Sequence, residues 1–199
     1  MARASLRLTL RDHPFVAEET LRALGLAAED VLDLTASRNL YGPPPGLLEL
    51  ADSASLIRYP DETASLARAR IAERFATTPE RIAIGHGAAE LLWSLARLWV
   101  APGSTVLAIE PSYPEFMIAA QQLGGRIVRW RSVERTGHRV DLEQVAELIA
   151  LERPQVVSLC APGSPTGASV RFDRLQPLAA SFPEVQFAVD QTFLELSDD

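Results

Sequence analysis

The chain has 199 residues, of which 47% are hydrophobic, and its 26 acidic and 19 basic residues give a formal net charge of −7 at pH 7. This length and apolar content suffice for one sizeable core, with room for a small appendage. The negative charge argues against a nucleic-acid partner or an anionic membrane surface, because like charges repel. Neither a signal-peptide core nor a membrane span of roughly 18 apolar residues is present, so we expect a cytoplasmic protein.

The first third of the chain predicts little regular structure. Residues 16–25 predict a short helix that ends at Gly25, and residues 33–46 are too rich in proline and turn formers to be regular. A helix is then predicted over residues 63–75. We expect residues 1–50 to form an arm and part of a small domain, and residues 51–199 to form part of a larger domain.

The hydrophobic period changes after this helix. Five short runs rich in β-branched residues predict strands at residues 81–84, 104–109, 126–131, 155–159 and 186–190. Helices are predicted between them. The helix at residues 88–99 is apolar nearly all round and is expected to be buried, whereas residues 141–152 are amphipathic and begin with a capping box.

Strands that alternate with helices predict an α/β fold, here a three-layer α/β/α arrangement around a mainly parallel sheet. Ligands of such sheets bind at the carboxyl ends of the strands. Candidate ligand-binding residues are therefore expected in the segments that directly follow the predicted strands. The single cysteine, Cys160, excludes a disulfide framework and is interpreted as a small buried hydrophobic residue.

The first such segment is GHGAAE, residues 85–90, which leads into a helix. Glycines allow a tight turn, and the free amides of Gly87, Ala88 and Ala89 at a helix N-terminus would suit a phosphate group. A turn that needs its glycines only for shape is an equal alternative. The segment also half-matches a dinucleotide-binding fingerprint, with Glu110 as the ribose-binding acid, but Glu90 stands where the third glycine is required.

Three further segments carry single candidate residues. Tyr113, in PSYPEF, could stack on an aromatic ligand ring, although a loop tyrosine is more often a packing residue. Ser164, in CAPGSPTG, could direct a hydroxyl at the same ligand. Asp190 ends an apolar strand, where its carboxylate would suit a protonated ring nitrogen, although a turn or cap role is the commoner one.

In their order and spacing these segments resemble the class I and II aminotransferases, which are fold-type I enzymes dependent on pyridoxal 5′-phosphate (PLP). The resemblance implies that GHGAAELLW binds the cofactor phosphate, that Tyr113 stacks on the pyridine ring and that Asp190 binds the ring nitrogen. APGSPTG is similar to the family's Asn-Pro-Thr-Gly turn, with Ser164 in place of the cofactor-facing asparagine. PLP is thus the expected cofactor, and a small amino acid the expected substrate.

Two more stretches are similar to histidinol-phosphate aminotransferases and threonine-phosphate decarboxylases. They are the arm DLTASRNLYGPPPG and the segment RYPDETASL. In those dimers the matching tyrosine reaches the partner's cofactor phosphate, which implies a homodimer and a cross-interface role for Tyr59. Ser37, Leu40 and Gln191 depart from the family's pattern, whereas Phe193 leans slightly towards the decarboxylases.

The family's chemistry requires a lysine that carries the cofactor, yet the chain contains none, since all 19 of its basic residues are arginine. In the family this lysine and the substrate-binding arginine follow the segments matched here. We therefore assign no catalytic residue and no metal ligand, and we expect a partial enzyme that is inactive alone and has an incomplete sheet. A complementing C-terminal half, a decarboxylase fragment, a non-catalytic binding remnant and an NAD-binding module are the alternatives, the last disfavoured by Glu90.

Overall fold

The computed structural model describes residues 18–27, 30–31, 41–47 and 59–197. The chain divides into two units, Met1–Asp61 and Glu62–Asp199. In the first unit, helix α1 (Glu18–Leu24) ends at Gly25, which adopts the left-handed conformation with φ 68°. Ser37 and Leu40, two of the departures from the family's pattern, lie outside the described residues.

The second unit alternates helices and strands, with short 3₁₀ turns at Pro79–Arg81 and Glu134–Thr136 between them and at Leu194–Leu196 after the last strand. Its elements in chain order are α2 (Ser65–Arg74), α3 (Gly87–Trp99), β1 (Thr105–Glu110), α4 (Glu115–Gln122), β2 (Arg126–Arg131), α5 (Leu142–Glu152), β3 (Val156–Cys160), α6 (Phe172–Ser181) and β4 (Gln186–Asp190). Within the described ranges, each helix is too short or too polar to cross a membrane.

The four strands form a parallel sheet in the order β2-β1-β3-β4. All four carboxyl ends therefore lie at one edge of the sheet. Glu110 at the end of β1 is in register with Arg131 of β2, and Cys160 at the end of β3 is in register with Asp190 of β4. This register decides which strand-end side chains can meet.

Alternate side chains of the strands enter two separate cores, one on each face of the sheet. On one face, Val106, Ala108, Val156 and Ala188 pack against α3 and α4. On the other face, Leu107, Ile109, Val157 and Leu159 pack against α5 and α6. The predicted three-layer α/β/α fold is confirmed. Because the side chains of a strand alternate, Cys160 and Asp190 lie on the same face as Ala188, towards α3 and α4.

Two expectations from the sequence are wrong. Residues 81–84 do not form a strand: Arg81 ends a 3₁₀ turn, and Ile82 is extended with φ −118° and ψ 124°, but no strand of the described residues pairs with it. An extended segment becomes a strand only when a neighbour completes its hydrogen bonds. Helix α3 is buried along one stripe only, at Leu92 and Ala96, whereas Leu98 is 74% exposed.

The predicted start of α5 is confirmed. The Asp141 carboxylate accepts hydrogen bonds from the backbone amides of Glu143 and Gln144, both at 3.1 Å. The Gln144 side-chain amide donates in turn to the other carboxylate oxygen of Asp141 at 2.8 Å. These bonds satisfy donors that the first turn of a helix leaves without partners.

Candidate functional site

The thiol of Cys160 lies at the centre of a small polar cluster at the carboxyl edge of the sheet. Its sulfur is 3.0 Å from Ser112 Oγ and accepts the backbone N–H of Tyr113 at 3.3 Å. The thiol donates to Asp190 Oδ2 at 3.7 Å. One side chain thereby connects the segment after β1 with the last residue of β4.

The burial expected of Cys160 is confirmed, and its thiol has polar contacts that the sequence interpretation as a small hydrophobic residue did not include. The residue is buried, and burial is the main reason why the pKa of its thiol is raised above 9.0, so the thiol keeps its proton at neutral pH. A signal for its location was available in the sequence. Cys160 directly precedes the APGSPTG turn at the end of a strand, where the functional side chains of a parallel sheet gather.

The carboxylate of Asp190 is held in place by neutral donors. Its Oδ1 accepts the backbone N–H of Thr192 at 3.0 Å and the hydroxyl of the same residue at 2.6 Å. Its hydrogen-bond partners within residues 59–197 are this threonine and the Cys160 thiol. Asp190 is only partly exposed, so a cationic group arriving at this face would find an acceptor that no arginine of the described residues neutralises.

Tyr113 lies near enough to this carboxylate to feel its charge. Tyr113 is half-buried against the core that α3 and α4 share. Burial raises the pKa of its hydroxyl above 10.0, and the negative charges of Glu115 and Asp190 raise it further. The predicted stacking residue and the predicted nitrogen-binding carboxylate are therefore close in space, on one face of the sheet.

Helix α3 begins on the same face, since its Leu92 and Ala96 share a core cluster with Ala188 of β4. Its first residue, Gly87, has φ +80°, a conformation that favours glycine, and its amide donates to the Gly85 carbonyl at 3.0 Å. The Glu90 carboxylate folds back over the turn and accepts the backbone N–H of His86.

Gly85 is less demanding. A Cβ atom on this residue would lie 2.9 Å from Leu91 Cδ2 and 3.2 Å from Glu90 Oε2, both at the ends of side chains that can move. The first-turn amides of Ala88 and Ala89 remain as donors that a helix leaves without intrahelical partners. The turn thus combines both interpretations that the sequence left open: Gly87 is needed for its shape, and its end presents amides.

Ser164 lies in the turn after β3, near enough to Cys160 for its backbone to lower the pKa of the thiol slightly against the larger effect of burial. Thr166 is committed within the same turn, because its hydroxyl accepts the backbone N–H of Ala168 at 3.3 Å. Gly163 fits where no other residue would, since a Cβ atom there would lie 2.7 Å from Thr166 Oγ1 and 3.0 Å from Ala168 O. The turn is therefore tight, with Ser164 next to the cluster.

The remaining predicted site residue, Tyr59, belongs to the first unit and is 99% exposed. The cross-interface role expected of it stays a prediction. Of the seven predicted residues, the second unit brings Tyr113, Ser164 and Asp190 together around Cys160, and it places the α3 turn with Gly87, Ala88 and Ala89 on the same face.

Comparison with known proteins identifies the fold and the family. The family model described as aminotransferase class I and II matches residues 20–193. The chain belongs to this family. The resemblance expected from the sequence motifs is confirmed, and the fold is that of its PLP-dependent members.

Three relatives illustrate the match. The chain is 32% identical over 155 residues to a histidinol-phosphate aminotransferase of Moorella thermoacetica, covering 77% of this chain and 39% of that protein. It is 32% identical over 187 residues to histidinol-phosphate aminotransferase 2 of Pseudomonas aeruginosa, covering 91% and 49%. A crystal structure of the Sinorhizobium meliloti enzyme in complex with PLP matches with a TM-score of 0.77 and 26% identity, covering 97% and 52%.

The chain therefore spans about half the length, or less, of the relatives that it matches. A decarboxylase from Sulfurospirillum multivorans also shares the fold, with a TM-score of 0.66 and 24% identity over 77% of this chain and 38% of that one. That similarity concerns the fold alone, so the decarboxylase alternative gains no functional support from it.

Proposed function

We propose that the cluster around Cys160 and the first turn of α3 together bind PLP. The observation that carries this proposal is the Asp190 carboxylate, which belongs to a partly buried residue, is oriented by Thr192 and Cys160, and lies near enough to Tyr113 to raise the pKa of its hydroxyl. A protonated pyridine nitrogen supplies the positive charge that such a carboxylate lacks. The PLP bound in the Sinorhizobium meliloti relative supports the same cofactor.

The residues fit the three parts of the cofactor. The Ala88 and Ala89 amides, with the dipole of α3, suit the phosphate, although the Gly87 amide that we also expected there is engaged with Gly85. The Tyr113 ring offers a face for stacking, and Asp190 would hold the ring nitrogen in its protonated form. Bound PLP supplies an electron-accepting ring for amino-acid chemistry.

Ser164 stands where the family has an asparagine that faces the cofactor. Its side chain is shorter than that of asparagine, and its backbone lies near the Cys160 thiol. We propose that Ser164 lines the site near the phenolic oxygen of the cofactor and does not form a strong hydrogen bond to it.

The absence of lysine defines how the cofactor is held. Because none of the 199 residues is lysine, PLP bound to this chain is held by non-covalent contacts alone. Borohydride treatment followed by peptide mapping tests this. We expect no cofactor-labelled side chain, and a stable adduct on an internal peptide would overturn the non-covalent model.

For the whole protein we propose an aminotransferase acting on a small amino acid, in phosphorylated or unphosphorylated form. The names of the curated relatives, which are histidinol-phosphate aminotransferases, support this substrate class. The chemistry further requires a lysine to carry the cofactor and move protons. These 199 residues alone are therefore expected to be inactive, and a complementing lysine-bearing segment is expected to restore turnover.

We also propose that the active form is a homodimer in which Tyr59 of each chain reaches the partner's cofactor phosphate. The full exposure of Tyr59 leaves its ring available to a second chain. Sedimentation with and without PLP tests the assembly. A Tyr59→Phe change should weaken PLP binding in the dimer, and an unchanged affinity would remove Tyr59 from the site.

The deciding experiment for the cofactor is a binding titration of the chain with PLP and, in parallel, with NAD. We expect saturable PLP binding with a change in the absorbance of the cofactor and no NAD binding. The reverse preference would favour the dinucleotide alternative. The geometry already weighs against that alternative, since the Glu110 carboxylate that would bind the ribose is hydrogen-bonded to Arg129 and Arg131.

A further inference from the structure

We infer that Trp93 is a positioning residue that aligns the Tyr113 loop with the first turn of α3, through a hydrogen bond from its indole to Glu115. This inference rests on the proposed PLP site, because it concerns how the two halves of that site are kept in register. Trp93 and Glu115 lie within the motifs GHGAAELLW and PSYPEF, but the sequence assigned neither residue a role of its own.

The contact joins the two elements that the site depends on. Trp93 Nε1 donates to Glu115 Oε2 at 2.6 Å in a partly buried setting. Trp93 lies on α3 six residues after Gly87, which is about 9 Å along the helix from the proposed phosphate position. Glu115 is the first residue of α4 and follows Tyr113 by two residues.

Glu115 and Tyr113 are close along the chain, which limits how far the Tyr113 backbone can move relative to the start of α4. Only Pro114, whose φ is −82°, separates the two residues. Fixing the Glu115 side chain to α3 thus fixes the start of α4, and with it the backbone that presents the Tyr113 ring. The Glu115 charge also raises the pKa of the Tyr113 hydroxyl, which places that charge near the ring.

Each partner of the hydrogen bond is itself held. The negative charge of Glu115 is favoured at the N-terminus of α4 by the helix dipole. The Trp93 ring packs against the core shared by α3 and α4, and the Arg97 guanidinium lies 5.7 Å from its centroid. Since a charge-assisted hydrogen bond is directional as well as strong, this contact defines a distance between the two halves of the site.

The chain offers a matched control for this contact. Trp130 Nε1 donates to Gln144 Oε1 at 3.0 Å, a partly buried indole hydrogen bond on the opposite face of the sheet. A Trp130→Phe change removes the same kind of donor and keeps the same kind of ring. This variant therefore shows how much PLP affinity is lost when a partly buried indole hydrogen bond is removed away from the proposed site.

The test compares Trp93→Phe, Glu115→Gln and Trp130→Phe with the unmodified chain, using PLP, inorganic phosphate and pyridoxine, which has the ring without the phosphate. We expect Trp93→Phe to bind PLP about tenfold more weakly, while its affinities for phosphate alone and pyridoxine alone change less than about twofold. Glu115→Gln keeps an acceptor for the indole N–H, so this variant should retain most of the PLP affinity of the unmodified chain. Trp130→Phe should bind PLP as the unmodified chain does.

Unchanged PLP affinity in Trp93→Phe would overturn the inference, as would an equal loss in Trp130→Phe. An equal loss for phosphate alone would also overturn it, because the helix turn itself would then be damaged. Failure of the unmodified chain to bind PLP counts against the proposed function instead. In that case amide hydrogen exchange over residues 111–117 decides: faster exchange in Trp93→Phe but not in Trp130→Phe supports the inference, and equal rates contradict it.

Discussion

Two carboxylates end strands of the same sheet, and their surroundings differ. Glu110, at the end of β1, is hydrogen-bonded to Arg129 at 3.0 Å and to Arg131 at 2.8 Å. Asp190, at the end of β4, is oriented by Thr192 and the Cys160 thiol, all neutral partners among the described residues. The first carboxylate has its counter-charges on the neighbouring strand, whereas the second has no cationic hydrogen-bond partner among residues 59–197.

The difference follows from which strand lies next to each carboxylate. Glu110 neighbours β2, an edge strand with an arginine in register and another two residues before it, so the salt bridges form across the sheet. Asp190 neighbours β3, which ends in a buried cysteine. Position at the carboxyl edge of a parallel sheet is thus not sufficient for a ligand site. The residues opposite each strand end decide whether a charge remains for the ligand.

The largest expected effect separates these two carboxylates directly. We predict that Asp190→Ala weakens PLP binding roughly ten- to hundredfold, because a charge-assisted bond to the ring nitrogen contributes about 1.5–3 kcal/mol. Asp190→Asn should weaken binding almost as much, since it keeps the shape and removes the charge. The measurement is a PLP titration of each variant followed by absorbance.

Glu110→Gln is the matched control. It should leave the PLP affinity unchanged and lower the free energy of unfolding by less than about 1 kcal/mol, because one of its arginines is 71% exposed and the pairs are screened by solvent. If Glu110→Gln weakened PLP binding as much as Asp190→Asn, the distinction between the two strand ends would be wrong.

A smaller effect tests whether the site beside Asp190 recognises an aromatic ring. We predict that Tyr113→Ala binds PLP about three- to tenfold more weakly, since aromatic stacking adds about 0.5–1.5 kcal/mol beyond simple burial. Tyr113→Phe keeps the ring and should bind PLP within about twofold of the unmodified chain. A loss in Tyr113→Phe equal to that in Tyr113→Ala would assign the contribution to the hydroxyl and contradict a stacking role.

The sequence predicted the layers well because they depend on local patterns. The strands expected at residues 126–131 and 186–190 have these bounds in the structure, and two others are shifted by one residue. The capping box at Asp141 is also local, since all its partners lie within three residues. Residues 81–84 carried the same β-branched pattern, but a strand also needs a neighbour, and the pattern of one segment does not contain its partner.

The candidate site was predictable only as far as its residues follow strand ends. Tyr113, Ser164 and Asp190 could be selected in this way, and the family resemblance assigned their roles. The role of Cys160 depends on contacts with residues 30 and 48 positions away along the chain, which the sheet register creates. The arginines beside Glu110 and the indole beside Glu115 are likewise 19 to 22 positions away from their partners.

The smallest predicted effect is a pH dependence of the free energy of unfolding, which arises from the Cys160 thiol next to Asp190. The pKa of the Cys160 thiol in the folded chain is raised above 9.0, mainly by burial. The unfolded chain loses this proton at lower pH than the folded chain, so the stabilisation is fully present below about pH 9 and declines as the pH rises towards the folded-state pKa. One proton gives a slope of at most about 1.4 kcal/mol per pH unit.

Denaturant unfolding between pH 7 and pH 11 measures this slope. Cys160→Ser replaces the thiol with a hydroxyl that does not ionise in this range, so the decline near pH 9 should disappear. The raised pKa of Tyr113 leaves a second decline above pH 10, which this variant should keep. Glu110→Gln should show the same slope as the unmodified chain, because it leaves the contacts of the Cys160 thiol unchanged. A decline near pH 9 that persists in Cys160→Ser would assign it to another group and remove the thiol from the electrostatics of the site.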